Sequence, residues 1–275
     1  MKAAYPNSNP LRIRHIQFNV NDQTPRYWCD SEPYLTSVMN ALSVLFPGGE
    51  RFFITSTQNF QRNLKDSELK NSLKIFCGQE SIHGKQYEKF NAWLAQMGYP
   101  VKRWEYHFEK LLHWRAQFYG KQLCLAITAA LEHVTAVLGS AVLSCPTLQE
   151  AFHNDVRPLV IWHAVEEVEH KAVAFDVMCV INSNYILRVV GFLIALLELS
   201  INFSLLLLAF LRHDQETFNV RSLFRLIYLG ASSGFMTKTI WHLIQYLRPN
   251  FHPWQSDDSH LIEKFDDEIK QFLTQ

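Results

Sequence analysis

Apolar side chains recur every three to four residues along most of the chain, and this spacing predicts α-helices. A first helix is predicted over residues 33–64, with a kink or local unwinding at residues 47–49, because a proline inside a helix removes a backbone donor. A second is predicted over residues 66–97, where Asp66 is a favourable N-cap and Gly98 ends the helix.

Two more helices are predicted over residues 122–143 and 155–182, the latter with Pro158 tolerated in its first turn. Residues 99–120 are more polar and aromatic, and we expect them to cross from one end of a bundle to the other. A further helix is predicted over residues 221–247, followed by a loop over residues 248–259 and a short polar helix.

The stretch over residues 185–211 is unusually apolar, with Arg188 and Glu198 as its only charged side chains. The run within it, residues 189–210, has three interpretations: a membrane-spanning helix, a helix associated with a membrane surface, or a helix that is buried or forms a homodimer interface. Glu198 and Asn202 near its middle count against spanning, since a charge at the centre of a bilayer costs a few kcal/mol.

Composition and charge narrow the class of protein. The 275 residues include only ten glycines and ten prolines, which favours an all-α protein. Lys and Arg number 26, as do Asp and Glu, so charge gives no reason to expect nucleic-acid binding. Five scattered cysteines without a Cys-x-x-Cys pair, and an N-terminus without an apolar core segment, predict a cytoplasmic protein with reduced thiols.

Three Glu-x-x-His pairs stand out, because this spacing puts a carboxylate and an imidazole on one face of a helix, where both can bind one metal ion. Glu80/His83 and Glu167/His170 lie inside apolar helical stripes. Glu150/His153 adjoins the start of a predicted helix, and we expect it in a surface turn.

Each helix that precedes a buried Glu-x-x-His pair carries a lone glutamate in apolar surroundings: Glu50 in the first helix and Glu132 in the third. A buried carboxylate without a partner is costly, and a divalent cation removes that cost. The order Glu, Glu-x-x-His, Glu, Glu-x-x-His on four successive helices is typical of a ferritin-like dinuclear site. We therefore predict an arm over residues 1–30, a ferritin-like four-helix bundle over 31–182, and additional C-terminal helices and a tail packed on it over 183–275.

His163 precedes Glu167 and His170 by four and seven residues, so all three share one helix face, and His163 is predicted as a seventh ligand. The alternatives are a hydrogen-bonded core histidine for His163 and a competing ligand role for Glu166. Glu169 points away from that face and is predicted as a solvated charge or a partner of a ligand. Three metal-like side chains in a charged region are expected at the surface: His107, Glu109 and His113.

The stretches around Glu50, Gly78–His83, Ala129–His133 and Trp162–Val177 resemble a bacterial family of predicted metal-dependent hydrolases within the ferritin-like di-iron proteins, as does the tail from Leu247 to Trp254. His163-x-x-x-Glu167-x-x-His170 is similar to the fourth-helix motif of di-iron arylamine N-oxygenases, which have an extra histidine ligand. The resemblance implies two iron ions, with Mn or Zn as alternatives, held by these side chains: Glu50, Glu80, His83, Glu132, His163, Glu167 and His170.

Three functions are compatible with that site. The first is O2-dependent oxidation of a hydrophobic small molecule, with an external electron donor and a dry pocket formed by Phe46, Phe53 and Phe76. The alternative is hydrolysis of esters or phosphoesters by two metal ions. A non-enzymatic metal-binding protein is the third. The sequence favours oxidation, and it identifies no catalytic residue beyond the metal ligands.

Overall fold

The computed structural model describes residues 11–232 and 235–273, and helices make up nearly all of their regular structure. The α-helices in chain order are α1 (Pro33–Gln58), α2 (Ser67–Gln96), α3 (Val101–Phe118), α4 (Gly120–Leu143), α5 (Pro146–Ala151), α6 (Arg157–His170), α7 (Val173–Ile181), α8 (Tyr185–His213), α9 (Val220–Ser232), α10 (Phe235–Gln245) and α11 (Ser259–Phe272). The described residues contain isolated β-bridges but no strand, which confirms the all-α class.

Four helices close a ring around the centre of the molecule. Helix α1 packs on α2 and α4, and α6 packs on α4 and α2. These are the helices that carry the predicted metal ligands. The helical bundle is therefore observed, while its ferritin-like character stays a prediction.

Helix α1 continues through Pro47 without the predicted unwinding. Proline has no N–H group to donate to the carbonyl of Ser43 one turn earlier. The side-chain amide of Asn91, on α2, donates to that carbonyl at 3.0 Å instead. The helix ends at Gln58 rather than at residue 64, and a short 3-10 turn follows at Gln61–Asn63.

The predicted boundaries of α2 are confirmed. The carboxylate of Asp66 accepts hydrogen bonds from the backbone N–H groups of Glu68 and Leu69, at 2.8 and 3.3 Å. At the other end Gly98 adopts a φ of +90°, a backbone conformation that favours glycine after a helix. The cap and the glycine together delimit the helix that carries Glu80 and His83.

The predicted crossing segment over 99–120 contains a helix, α3, which packs on α1, α2 and α4. Two predicted helices differ from the structure. The predicted helix over 155–182 is two helices, α6 and α7, which meet at a turn at residues 171–172. The buried ammonium group of Lys171 donates to the carbonyl of Ser256 at 2.8 Å. The predicted helix over 221–247 is also two, α9 and α10, and their junction at 233–234 lies outside the described residues.

Helix α8 lies along α4 and α1 and exposes its other side. Gly191 makes the close approach to α4 possible, since a Cβ atom there would lie 2.8 Å from the carbonyl carbon of Ala126. By length and composition α4 and α8 could each span a membrane, but α4 is a core helix with most of its residues buried. Within α8 the charged Glu198 pairs with Arg115 of α3.

Candidate metal centre

The seven side chains predicted as metal ligands converge in the middle of the bundle. Helix α1 contributes one of them, α2 two, α4 one and α6 three. None of these residues is more than 5% exposed. They are Glu50, Glu80, His83, Glu132, His163, Glu167 and His170.

One half of the centre surrounds the imidazole of His170. Its Nε2 atom lies 3.2 Å from Oε1 of Glu80, 3.3 Å from Oε2 of Glu132 and 3.6 Å from Oε2 of Glu167. Donor atoms of Glu80, Glu132 and His170 all lie within 4.8 Å of one another. These three side chains, which we call the inner group, could hold one cation.

The other half surrounds two imidazoles. Nε2 of His163 lies 2.9 Å from Oε1 of Glu167 and 3.7 Å from Oε1 of Glu50. Donor atoms of Glu50, His83 and His163 form a second cluster within 4.8 Å, which we call the outer group. Nδ1 of His83 lies 3.6 Å both from Glu80 and from Glu167, so these two carboxylates stand between the groups, as bridging ligands would.

A cation would satisfy polar atoms that the protein leaves without hydrogen-bond partners. These buried atoms are both carboxylate oxygens of Glu50, Glu80 and Glu132 and one atom of each of the other four ligands. Buried polar atoms in folded proteins nearly always have partners. Carboxylate oxygens and imidazole nitrogens are also the donors that Fe, Mn and Zn accept. The residues therefore fit a pair of divalent cations.

The pKa values of the buried carboxylates and of His170 also favour a bound cation. Burial, together with the neighbouring carboxylates, raises the pKa of Glu50 and of Glu80 well above the ordinary value, and burial raises the pKa of Glu132 to about 7. Burial lowers the pKa of His170, but the surrounding carboxylates, Glu167 foremost, outweigh it and raise that pKa well above normal. In the absence of a cation, protons must compensate the repulsion among these carboxylates.

In each of the three histidines, the ring nitrogen that faces away from the centre has a polar partner. Nε2 of His83 lies 2.9 Å from Oε2 of Glu166, and Nδ1 of His163 lies 2.8 Å from the hydroxyl of Tyr87. A carboxylate can only accept, so Nε2 of His83 carries the hydrogen and Nδ1 offers a lone pair to the centre. Such partners fix the orientation of metal-binding histidines.

His170 is oriented in the same way by Gln79. Nε2 of Gln79 donates to the carbonyl of Arg12 at 3.1 Å and to Glu169 at 3.4 Å, so its oxygen faces Nδ1 of His170, at 3.2 Å. The amide oxygen accepts the Nδ1 hydrogen, which leaves a lone pair on Nε2 towards the inner group.

Arg14 connects the partners of two of these histidines, because it binds both Glu166, which contacts His83, and Glu169, which contacts Gln79. Its guanidinium group donates to Glu166 at 3.0 Å and to Glu169 at 2.7 Å, and all three residues are buried. Glu166 therefore binds His83 and Arg14 rather than competing with Glu167 as a ligand. Glu169 acts through Gln79 and is not a solvated charge.

Sequence reasoning missed Arg14 and Gln79. Arg14 lies in the irregular arm, 152 residues from Glu166, and no periodicity connects the two. Gln79 directly precedes Glu80 in the resemblance motif, which is the one feature that could have indicated its role. The third Glu-x-x-His pair lies outside the metal centre, since Glu150 is exposed and the backbone N–H of His153 donates to Trp28. The side chains of His107, Glu109 and His113 are exposed, as expected.

An apolar cavity of about 480 Å³ adjoins the outer group. Glu50, His163 and Glu167 lie in its wall, and most other lining side chains are apolar, including Phe46 and Phe53. Phe76 is not among them, contrary to expectation: it is fully buried and its ring meets that of His170 edge to face, with centroids 5.0 Å apart. The volume lies within the range of about 300–1,000 Å³ usual for small-molecule sites.

Comparison with known proteins adds one match. A family model described as predicted metal-dependent hydrolase matches residues 12–257, which is most of the chain. The chain belongs to this family. No curated protein and no solved structure matches it. Membership in this family of predicted metal-dependent hydrolases confirms that part of the resemblance, whereas the link to ferritin-like di-iron proteins and the likeness to di-iron N-oxygenases stay predictions.

Proposed function

We propose that this member of the family of predicted metal-dependent hydrolases hydrolyses esters or phosphoesters that have a long apolar portion. The observation that carries the proposal is the position of the outer group. Two of its members, Glu50 and His163, lie together with Glu167 in the wall of a cavity that is otherwise almost entirely apolar. The family description supports hydrolysis as the reaction, which the sequence alone ranked second.

Glu80, Glu132 and His170 would hold one cation and Glu50, His83 and His163 the other, with Glu167 between them. When bound, two divalent cations would supply Lewis acidity and activate water for attack on the substrate.

The residues of the chain position the substrate and exclude water. Phe46 and Phe53 would line the path of an alkyl chain, and the wall near them offers few competing polar groups. Tyr87, whose hydroxyl lies 2.8 Å from Nδ1 of His163, fixes that ring at the junction of cavity and metal centre. The ring of Phe46 packs edge to face on the same imidazole, with centroids 4.7 Å apart, and restricts it further.

Oxidation of a hydrophobic molecule by O2 is the second candidate. Four carboxylates beside three imidazoles form an oxygen-rich donor set that suits iron, and an apolar cavity would keep water from a reactive site. This reaction would use two iron ions, O2 and an external electron donor.

One experiment separates the two reactions. The chain is loaded with Zn(II), Mn(II) or Fe(II), and hydrolysis of p-nitrophenyl esters and p-nitrophenyl phosphodiesters of increasing alkyl length is measured beside O2 uptake. Hydrolysis with the redox-inert Zn(II) form supports our proposal, and KM should fall by about fourfold per added methylene while the cavity accepts it. Glu167→Gln should abolish the activity, and Glu150→Gln, at an exposed position outside the site, should retain it.

Two results would overturn the proposal. If no metal form hydrolyses any ester or phosphodiester, but the Fe(II) form consumes O2 when an apolar substrate and a reductant are added, oxidation is the function. If neither reaction occurs in a fully loaded protein, the metal-binding interpretation without enzyme activity replaces both.

A further inference from the structure

Exposed apolar side chains are concentrated in the C-terminal helices. Of the 23 large apolar residues that are exposed among the described residues, 17 lie between residues 185 and 244. Monomeric soluble proteins rarely keep such a concentration at the surface. They are Tyr185, Ile186, Val190, Leu193, Leu197, Ile201, Leu205, Phe218, Val220, Leu223, Phe224, Ile227, Tyr228, Met236, Ile240, Trp241 and Ile244, which we call the apolar surface.

The exposed charges carried by residues 185–248 themselves have one sign. Over the described residues from 185 to 248, every exposed charged side chain is an arginine or a lysine. The three acidic residues of this stretch are partly buried, and each has a polar partner: Glu198 with Arg115, Asp214 with Tyr99 and Glu216 with Asn219. The exposed basic residues are Arg212, Arg221, Arg225, Lys238 and Arg248. Arg225 pairs with Asp30 and Glu32, which precede α1, so the basic character of this surface rests on the other four.

The cavity beside the metal centre reaches this surface. Ile227 of α9 and Met236 of α10 both line the cavity and are exposed, at 49% and 47%. Leu199 of α8 lines it as well. An alkyl chain could therefore pass from the apolar surface to Glu50 and His163 without crossing a polar layer.

We propose that the apolar surface docks on an anionic lipid bilayer, and that substrates reach the cavity from it as membrane lipids. The docking follows from the apolar side chains and the basic residues around them, since anionic headgroups attract Arg and Lys while the apolar side chains enter the acyl boundary. Trp241 and Tyr228, exposed at 60% and 72%, are residue types that favour that boundary. Only the choice of lipid substrates rests on the proposed function.

Surface docking fits better than spanning or self-association. Helix α8 packs closely on α4 where Gly191 contacts Ala126. If α8 crossed a bilayer it would bring α4, and with it Glu132 of the metal centre, into the membrane. A second copy is less favoured, because a two-fold dimer would place the basic residues of both patches in one interface.

Vesicle sedimentation of the metal-loaded full chain tests the docking. We expect binding to phosphatidylcholine vesicles that contain phosphatidylglycerol and much weaker binding to phosphatidylcholine alone. The double variant Ile240→Glu with Trp241→Glu should lose more than about tenfold in apparent affinity for the anionic vesicles. Neither residue lines the cavity, so metal content and hydrolysis of a short soluble ester should be unchanged.

The control is Ile13→Glu, which introduces a single glutamate in place of an apolar residue exposed at 46% beside Gly78 of α2, away from the apolar surface. It should bind vesicles as the wild type does. Docking is overturned if the wild type ignores anionic vesicles, if the double variant binds them equally well, or if light scattering shows a wild-type dimer that the double variant converts to monomer. A chain that binds vesicles but hydrolyses nothing refutes only the proposed reaction.

Discussion

Nε2 of His83 lies 2.9 Å from Oε2 of Glu166, whose other oxygen accepts from Arg14 at 3.0 Å. An arm that precedes the described helices thus determines how a histidine of α2 faces the metal centre. The side chain of Arg14 is 3% exposed, so both of its ion pairs are shielded from water.

Arg14→Leu should therefore weaken metal binding without touching a ligand. Removing the guanidinium leaves Glu166 and Glu169 buried without their cation, which should lower the free energy of unfolding by about 3–5 kcal/mol. Metal affinity should fall by roughly 10- to 100-fold, as measured by competition with a chelator. Arg12→Leu is the control: Arg12 is 46% exposed and pairs with Asp266 at the surface, so its loss should cost less than about 1 kcal/mol.

Gln79→Leu should act on the inner group. The variant removes the acceptor of the Nδ1 hydrogen of His170, so the imidazole can rotate away from Glu80 and Glu132. We expect the affinity for one metal equivalent to fall by roughly 10- to 100-fold while the second equivalent is retained. Gln96→Leu, an exposed position on the same helix, should leave both equivalents bound. Equal titration curves for the two variants would refute the role given to Gln79.

Gly84 lets α2 approach Glu50. A Cβ atom at Gly84 would lie 3.2 Å from Oε2 of Glu50, closer than ordinary contact. Gly84→Ala should therefore displace that carboxylate and weaken the outer-group cation by roughly tenfold, which a metal titration would detect. Gly49→Ala is the matched control, since its Cβ atom meets only Phe53, at 4.0 Å, and alanine favours helix by about 1 kcal/mol.

His163→Ala should keep the fold and the inner-group metal but lose the outer one. Nε2 of His163 faces Glu50 and Glu167, so its removal takes an imidazole donor from the group that borders the cavity. Tyr87→Phe should have a weaker effect in the same direction, because the imidazole of His163 stays in place but loses the hydrogen-bond partner of its Nδ1 atom. His153→Ala, outside the centre, is the control. A metal-bound crystal structure in which His163 contacts only protein groups would contradict the assignment.

Local rules explain which features could be predicted. The cap Asp66, the stop at Gly98 and the spacing of both Glu-x-x-His pairs are encoded within a few residues, and the seven predicted side chains do meet in one place. Long-range contacts could not be predicted. Lys171, at the turn between α6 and α7, donates to the distant Ser256, and the orientation of His83 depends on Arg14 through Glu166. Periodicity in a single sequence does not record such pairs.

The exposed side of α8 is another feature that periodicity could not assign. Its composition is apolar on all faces, so the sequence left spanning, surface and interface interpretations open. The structure buries Phe192 and Ala195 against the bundle and leaves Leu193 and Leu197 exposed.

Metal stoichiometry tests the central claim most directly. Three proteins are compared: the wild-type chain and the variants Glu80→Gln and Glu150→Gln. Each is unfolded and refolded with excess Zn(II) or anaerobic Fe(II). Unbound metal is then removed, and the bound metal is measured by elemental mass spectrometry. We predict about two ions per chain for the wild type and for Glu150→Gln, and fewer than about one for Glu80→Gln, because Glu80 belongs to one donor group and borders the other. A folded wild-type chain that retains no metal, or a Glu80→Gln variant that retains the wild-type amount, would contradict the account.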